Sequence, residues 1–311
     1  MRQPGSFSRE RPRLPALRRE LYNTKSEWYR RLNPMNSTVA EDLNLDSSDK
    51  DHRPGWLPRN IWRMRRLFQC SRMAGASLFA CVPMLLARRP ETPLRLLCIG
   101  AFEYLARVQG RRLDDTGRRA LACACDFGAL RNDFYDQREL DRGAYRELRH
   151  NLRHLAPEKA TLHYIHALRA AERGRPSVGR EGDIEAASIV EYRNRVLVIS
   201  LAWLRGISGG PLHPHLFQAL LGLAGLAQLV DDLLDYKDDW ACRRPTYVTA
   251  FLSVGAEPSR DAMTHLHFHA NRFRNLLVAA SERQSAAAPL ALAGAFMWLL
   301  AVALLKVRFR R

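Results

Sequence analysis

The sequence predicts an all-α protein, and three observations carry that expectation. From residue 74 onward apolar residues recur three and four positions apart, the spacing of a helix face, with almost no β-branched alternation. Breaks fall where helices would end: at Pro90, at Gly110, across Gly174–Gly182 and across Gly209–Pro214. No glycine-rich loop follows a strand, which argues against a Rossmann or P-loop enzyme.

The chain has 311 residues, 47% apolar and 26% charged, enough for one large helical domain or two small ones and too apolar for a wholly disordered chain. Residues 1–52 mix Arg, Pro, Ser, Asn and Asp with little periodicity and read as a basic, disordered arm. Residues 53–73 set Trp56, Ile61, Trp62, Met64, Leu67 and Phe68 among Arg53, Arg59, Arg63, Arg65, Arg66 and Arg72, with no acid. This basic amphipathic segment suits an anionic membrane surface, or the first helix of the fold with a solvated Arg face. The helical domain, 74–311, divides into helices expected over 74–88, 94–109, 113–138, 143–155, 157–173, 184–206, 212–240, 246–254, 257–283 and 288–307. The uncharged stretch 285–305 is long enough to span a bilayer as a tail anchor. Its alanines, Pro289 and Gly294 favour a buried final helix instead.

Six cysteines form no CxxC pair and no signal peptide opens the chain, so a reduced, cytoplasmic protein with free thiols is expected, with membrane association open. The net charge is +17, and residues 1–66 carry 15 Lys and Arg against 8 acids. Such a balance suits nucleic acid, an anionic membrane or a phosphorylated substrate.

Two acidic clusters choose among these. In the first, Asp126 and Asp133 lie seven apart, and Asn132 and Asp136 four apart, so a helix collects them into one stripe. In the second, Asp231, Asp235 and Asp239 repeat every four residues, beside Asp232 and after an apolar run from Leu220 to Val230. Carboxylates stacked on one face repel, so a cation is expected to offset them, and Mg²⁺ is the natural one for hard oxygen ligands. Two acidic helices would repel nucleic acid phosphates, which sets that partner aside. His265, His267 and His269 bring only His265 and His269 to one face, with no acidic or cysteine ligand near, which argues against a metal site there.

The stretch QLVDDLLDYKDDWACRRPT, Gln228 to Thr246, resembles the second aspartate-rich motif of trans-polyprenyl diphosphate synthases. Asp231, Asp232 and Asp235 fall on its DDxxD positions, and Arg244-Pro245-Thr246 on the basic turn that follows. NDFYDQRELDRG, Asn132 to Gly143, resembles the first motif, with Asn132, Asp133 and Asp136 on the acidic positions and Arg142-Gly143 at its end. Asn132 replaces an Asp there, and Asp141 an Arg. The resemblance implies a class I isoprenoid synthase-like helical bundle around a central apolar cavity. It implies Mg²⁺ held by Asn132, Asp133, Asp136, Asp231, Asp232 and Asp235. Asp133, Asp136, Asp231 and Asp235 would be catalytic. Gln228, Arg142, Arg193, Arg195, Arg243 and Arg244 would bind the diphosphate of a prenyl diphosphate substrate. Phe127, Leu130 and Phe134 would line the cavity, Phe127 as a partial floor favouring geranyl to geranylgeranyl chains. The resemblance leaves chain elongation and terpene cyclisation both open, and a homodimer as well. The alternative is a binding or scaffold protein that kept the fold and lost catalysis.

Overall fold

The computed structural model describes residues 64–65, 68–75, 93–137, 140–178, 186–210, 212–253, 257–259 and 261–309. The arm expected over 1–52, residues 53–63 and most of the helix expected over 74–88 lie outside the described residues. The chain divides into Met1–Asn60 and Ile61–Arg311, and every described residue belongs to the second unit.

The described residues are helical apart from their links and one two-residue ribbon. Residues 68–75 are helical, followed by α1 (Pro93–Val108), α2 (Asp115–Gln137), α3 (Arg142–Leu155), α4 (Glu158–Arg173), α5 (Ala186–Ile207), α6 (Pro214–Ala241), α7 (Ala262–Arg283) and α8 (Ala288–Arg308). Pattern and breaks place these helices to within a few residues. The segment expected to be helical over 246–254 is not. Pro245 stops a helix there, and Thr246 and Thr249 bond each other's backbone N–H groups, closing a tight turn. A 3-10 turn, Thr249–Phe251, and a two-residue antiparallel ribbon pairing Leu252 with Pro258 complete the link to α7.

The central element is α6. Pro214 opens it, where its missing N–H costs nothing, and its first half is apolar on nearly every side. Leu226, Leu229 and Leu233 are fully buried, each worth about 1.5–3 kcal/mol relative to exposure. Two glycines let α7 approach closely. A Cβ on Gly222 would stand 2.7 Å from the Phe273 carbonyl oxygen, and one on Gly225 would overlap the Phe273 ring. α6 packs on α7 and α8, α2 on α3, and α4 on α5, while α5 reaches both α2 and α6. One continuous apolar core joins them.

Both α6 and the stretch Ser285–Arg308 are long and apolar enough to cross a membrane, but they sit differently. α6 is mostly buried inside the protein. α8 buries one face only, through Leu290, Gly294, Ala301 and Leu305. The expected final core helix is therefore half in the core and half out of it.

Candidate functional site

The acidic half of α6 ends in a turn that determines the site. The N–H of Arg243 bonds the Trp240 carbonyl and that of Arg244 bonds the Asp239 carbonyl, at 3.0 and 2.7 Å. This double bond pattern requires a left-handed residue after the cap, and Arg243 takes it with φ of 53°, a conformation glycine adopts far more easily. The reversal turns the Arg244 side chain back across the end of α6, where Nη1 donates to Asp239 at 3.3 Å. Its Nε stands 3.7 Å from Asp136, on α2.

The two acidic helices, nearly a hundred residues apart in sequence, thus meet at Arg244. Asp136 also accepts from Asn132 Nδ2 at 3.0 Å and from Arg175 Nη2 at 2.5 Å. Arg175 in turn pairs with Glu172, which accepts the Tyr192 hydroxyl proton at 2.6 Å. Sequence reasoning missed Arg175. It lies in the break after α4, where no periodicity says which way a side chain points, and Gly174 and Pro176 around it mark only a turn.

Asp232 is buried, and both its oxygens are engaged. One accepts from Arg193 Nη2 at 3.2 Å and Gln228 Nε2 at 2.9 Å, the other from the Tyr247 N–H at 2.7 Å. Burial raises its carboxyl above the ordinary range, and these donors pull it back. The Tyr247 hydroxyl donates to Asn194 at 2.9 Å, so Asp232 ties α6 to both α5 and the following turn. Burial works against the Arg193 charge; Asp232 offsets it most, and Asp136 contributes too.

Asp231 and Asp235 face outward on the next stripe of α6. Desolvation, then the charges of Asp232 and Asp235, raise the Asp231 carboxyl; Gln228 donates to it at 3.3 Å. Asp239 is raised to about 6, by burial first and Asp232 second, against the pull of Arg244. Three buried guanidinium N–H donors, Nε of Arg131, Arg193 and Arg244, have no hydrogen-bond partner, although Arg244 Nε faces Asp136 as an ion pair. Buried donors are almost always satisfied, so the Nε groups of Arg193 and Arg244, near Asp232 and Asp136, have capacity for a further acceptor.

Among the other expected site residues, Asp133 is exposed on α2, and Arg142 is exposed at the start of α3. Asp141 caps α3, accepting from the Gly143 and Ala144 N–H groups, a local role that accounts for an Asp there. Arg195 is exposed and pairs with Glu191 on its own helix. Phe127 is fully buried against Tyr145 and Trp203, with ring centroids 5.5 and 6.0 Å away. Leu130 and Phe134 are half-buried, Phe134 lying under the Arg131 guanidinium at 5.6 Å. His265 is exposed and stacks on Phe251, while His269 is buried beside Tyr247.

Among the described residues no three His, Cys, Asp or Glu side chains stand close enough to hold a metal ion by themselves. The donor set still suits Mg²⁺. That ion usually takes one or two carboxylates and completes its shell with water and phosphate oxygens. The mutual repulsion at Asp231 is what a divalent cation would relieve. No family model, curated protein or solved structure matches the chain.

Proposed function

We propose that this protein is a Mg²⁺-dependent enzyme of class I isoprenoid synthase type, ionising an allylic prenyl diphosphate for chain elongation or terpene cyclisation. The observation that carries the reading is that Asp136 of α2 and Asp239 of α6 share Arg244, with Nε donors of Arg193 and Arg244 that make no hydrogen bond near them. Magnesium, held by Asp231 and Asp235 with Asp133 and Asp136, would neutralise charge on the diphosphate. The chain's own residues do the rest. Arg193, Arg244 and Arg175 present guanidinium N–H groups to diphosphate oxygens, and a guanidinium matches phosphate geometry well. The allylic C–O bond breaks, its electron pair goes to the departing diphosphate oxygen, and those guanidinia stabilise the growing charge. Asp232, with both oxygens engaged, holds Arg193 and the turn after α6 in place.

A second reading is a binding protein that lost catalysis. It draws on the Asp136 carboxylate, whose oxygens meet Arg175, Arg244 and Asn132 rather than lying open. The two readings separate in one assay. Pyrophosphate release is measured from geranyl, farnesyl and geranylgeranyl diphosphate, with Mg²⁺ and with chelator. Release that needs Mg²⁺ and is lost in Asp235→Asn supports the enzyme; no release from any of the three favours the binding protein.

A further inference from the structure

We infer that the outer face of α8 docks this protein onto an anionic membrane surface, with the helix lying in the plane of the bilayer. The inference stands apart from the diphosphate reading. Leu292, Phe296, Leu299, Leu300 and Val307 follow one another at helical spacing down a single stripe. They point away from the core, and Leu292, Phe296 and Val307 are 74%, 68% and 77% exposed. A surface helix normally shows charge on that side, yet α8 has none before its last turn. Contiguous exposed apolar surface of this kind marks an interaction site.

The charge around the stripe selects the occupant. Lys306 and Arg308 are exposed at the end of α8, Arg310 and Arg311 follow in sequence, and no acid occurs after Glu282. On α7, Arg274 lies over the Trp298 ring at 4.6 Å, while the indole N–H donates to Asn271 at 3.0 Å. An aromatic ring with one wet edge and a cation beside it suits the headgroup level of a bilayer. A second copy would bring like charges together in a chain carrying +17. Anionic lipid headgroups complement them.

The packing decides between lying flat and spanning. Gly294 brings α8 so close to α7 that a Cβ there would overlap Leu277. Ala301 and Leu305 are fully buried, and Phe309 lies against the Tyr236 ring of α6 at 5.4 Å. A spanning α8 would have to leave this core; a flat one keeps it and gives its other face to lipid.

The test is co-sedimentation of the full chain with phosphatidylcholine vesicles, with and without phosphatidylserine. Two variants accompany it, Phe296→Ser with Leu299→Ser, and Lys306→Gln with Arg308→Gln. All four positions are exposed, and circular dichroism confirms that each variant folds. The wild type is expected to bind phosphatidylserine vesicles and to be released by high salt. The apolar variant should bind at least about tenfold more weakly, and the charge variant should lose its preference for phosphatidylserine. Failure of the wild type to bind would overturn the inference, as would unchanged binding in Phe296→Ser with Leu299→Ser. So would resistance to both salt and alkaline carbonate, the behaviour of a spanning anchor. A change of oligomeric state in the apolar variant without vesicles would show that a second copy covers the face, which also overturns it.

Discussion

Replacing Asp232 by Asn keeps the side chain's shape and removes its charge. In the native arrangement one oxygen accepts from Arg193 and Gln228 and the other from the Tyr247 N–H. An Asn amide must turn its NH₂ toward one of these donor sets, so at least one hydrogen bond becomes a donor facing a donor. Arg193 also loses the charge that offsets its burial, and its Nε already lacks a partner. Breaking a buried ion pair from one side costs about 3–5 kcal/mol. That is a large part of a typical total stability of about 5–15 kcal/mol. It corresponds to a melting temperature lowered by roughly 10 °C. Urea unfolding followed by circular dichroism measures it, with the denaturant slope unchanged. The double variant Asp232→Asn with Arg193→Met should be more stable than the sum of the single losses by at least about 1 kcal/mol. Asp235→Asn, on the exposed stripe, should stay within about 0.5 kcal/mol of wild type. If Asp232→Asn cost less than about 0.5 kcal/mol, or if the two losses simply added, Asp232 would not hold Arg193 as described.

Three further outcomes rest on the same geometry. Arg243→Gly should raise stability by about 1 kcal/mol, because Gly adopts the left-handed turn at little cost, and calorimetry would detect it. Gly222→Ala should cost about 1–3 kcal/mol in urea unfolding, since the new methyl group meets the Phe273 carbonyl on α7. His269 titrates near 3, lowered mainly by burial and then by Arg272 and His265. The unfolded chain takes up this proton from about pH 6.5 downward and the folded chain does not, so stability falls as pH drops through that window. By pH 5 the loss is about 2 kcal/mol, and His269→Phe should flatten this part of the stability–pH curve.

Much of the fold was legible because helix faces and breakers are local signals. The i, i+3, i+4 spacing within α2 through α8 and the prolines and glycines between them needed no tertiary information. The link at 246–258 was not legible as a turn, because its apolar content mimics a helix while Thr246 and Thr249 spend their hydroxyls on each other's backbone. The acidic stripes could be read from spacing; that Asp136 and Asp239 would share Arg244 could not. Which carboxylates face inward could not be read. Adjacent Asp231 and Asp232 differ by about 100° of rotation, and only packing against α5 decides that Asp232 is the buried one. Arg175 was invisible because a loop side chain has no face. The half-exposed state of α8 was invisible for the opposite reason: its composition is apolar on both sides, so nothing in the pattern marks the side that the core leaves uncovered.

The central claim is that the acidic stripes of α2 and α6, bridged by Arg244, bind a diphosphate through carboxylate-held Mg²⁺ and guanidinium donors. Titration calorimetry with inorganic pyrophosphate, with Mg²⁺ and with chelator, tests it without requiring turnover. The account predicts binding that needs Mg²⁺, disappears in Asp235→Asn and weakens by at least about tenfold in Arg244→Met, given the worth of a charge-assisted hydrogen bond. Equal binding in chelator, or binding indifferent to both substitutions, would contradict it.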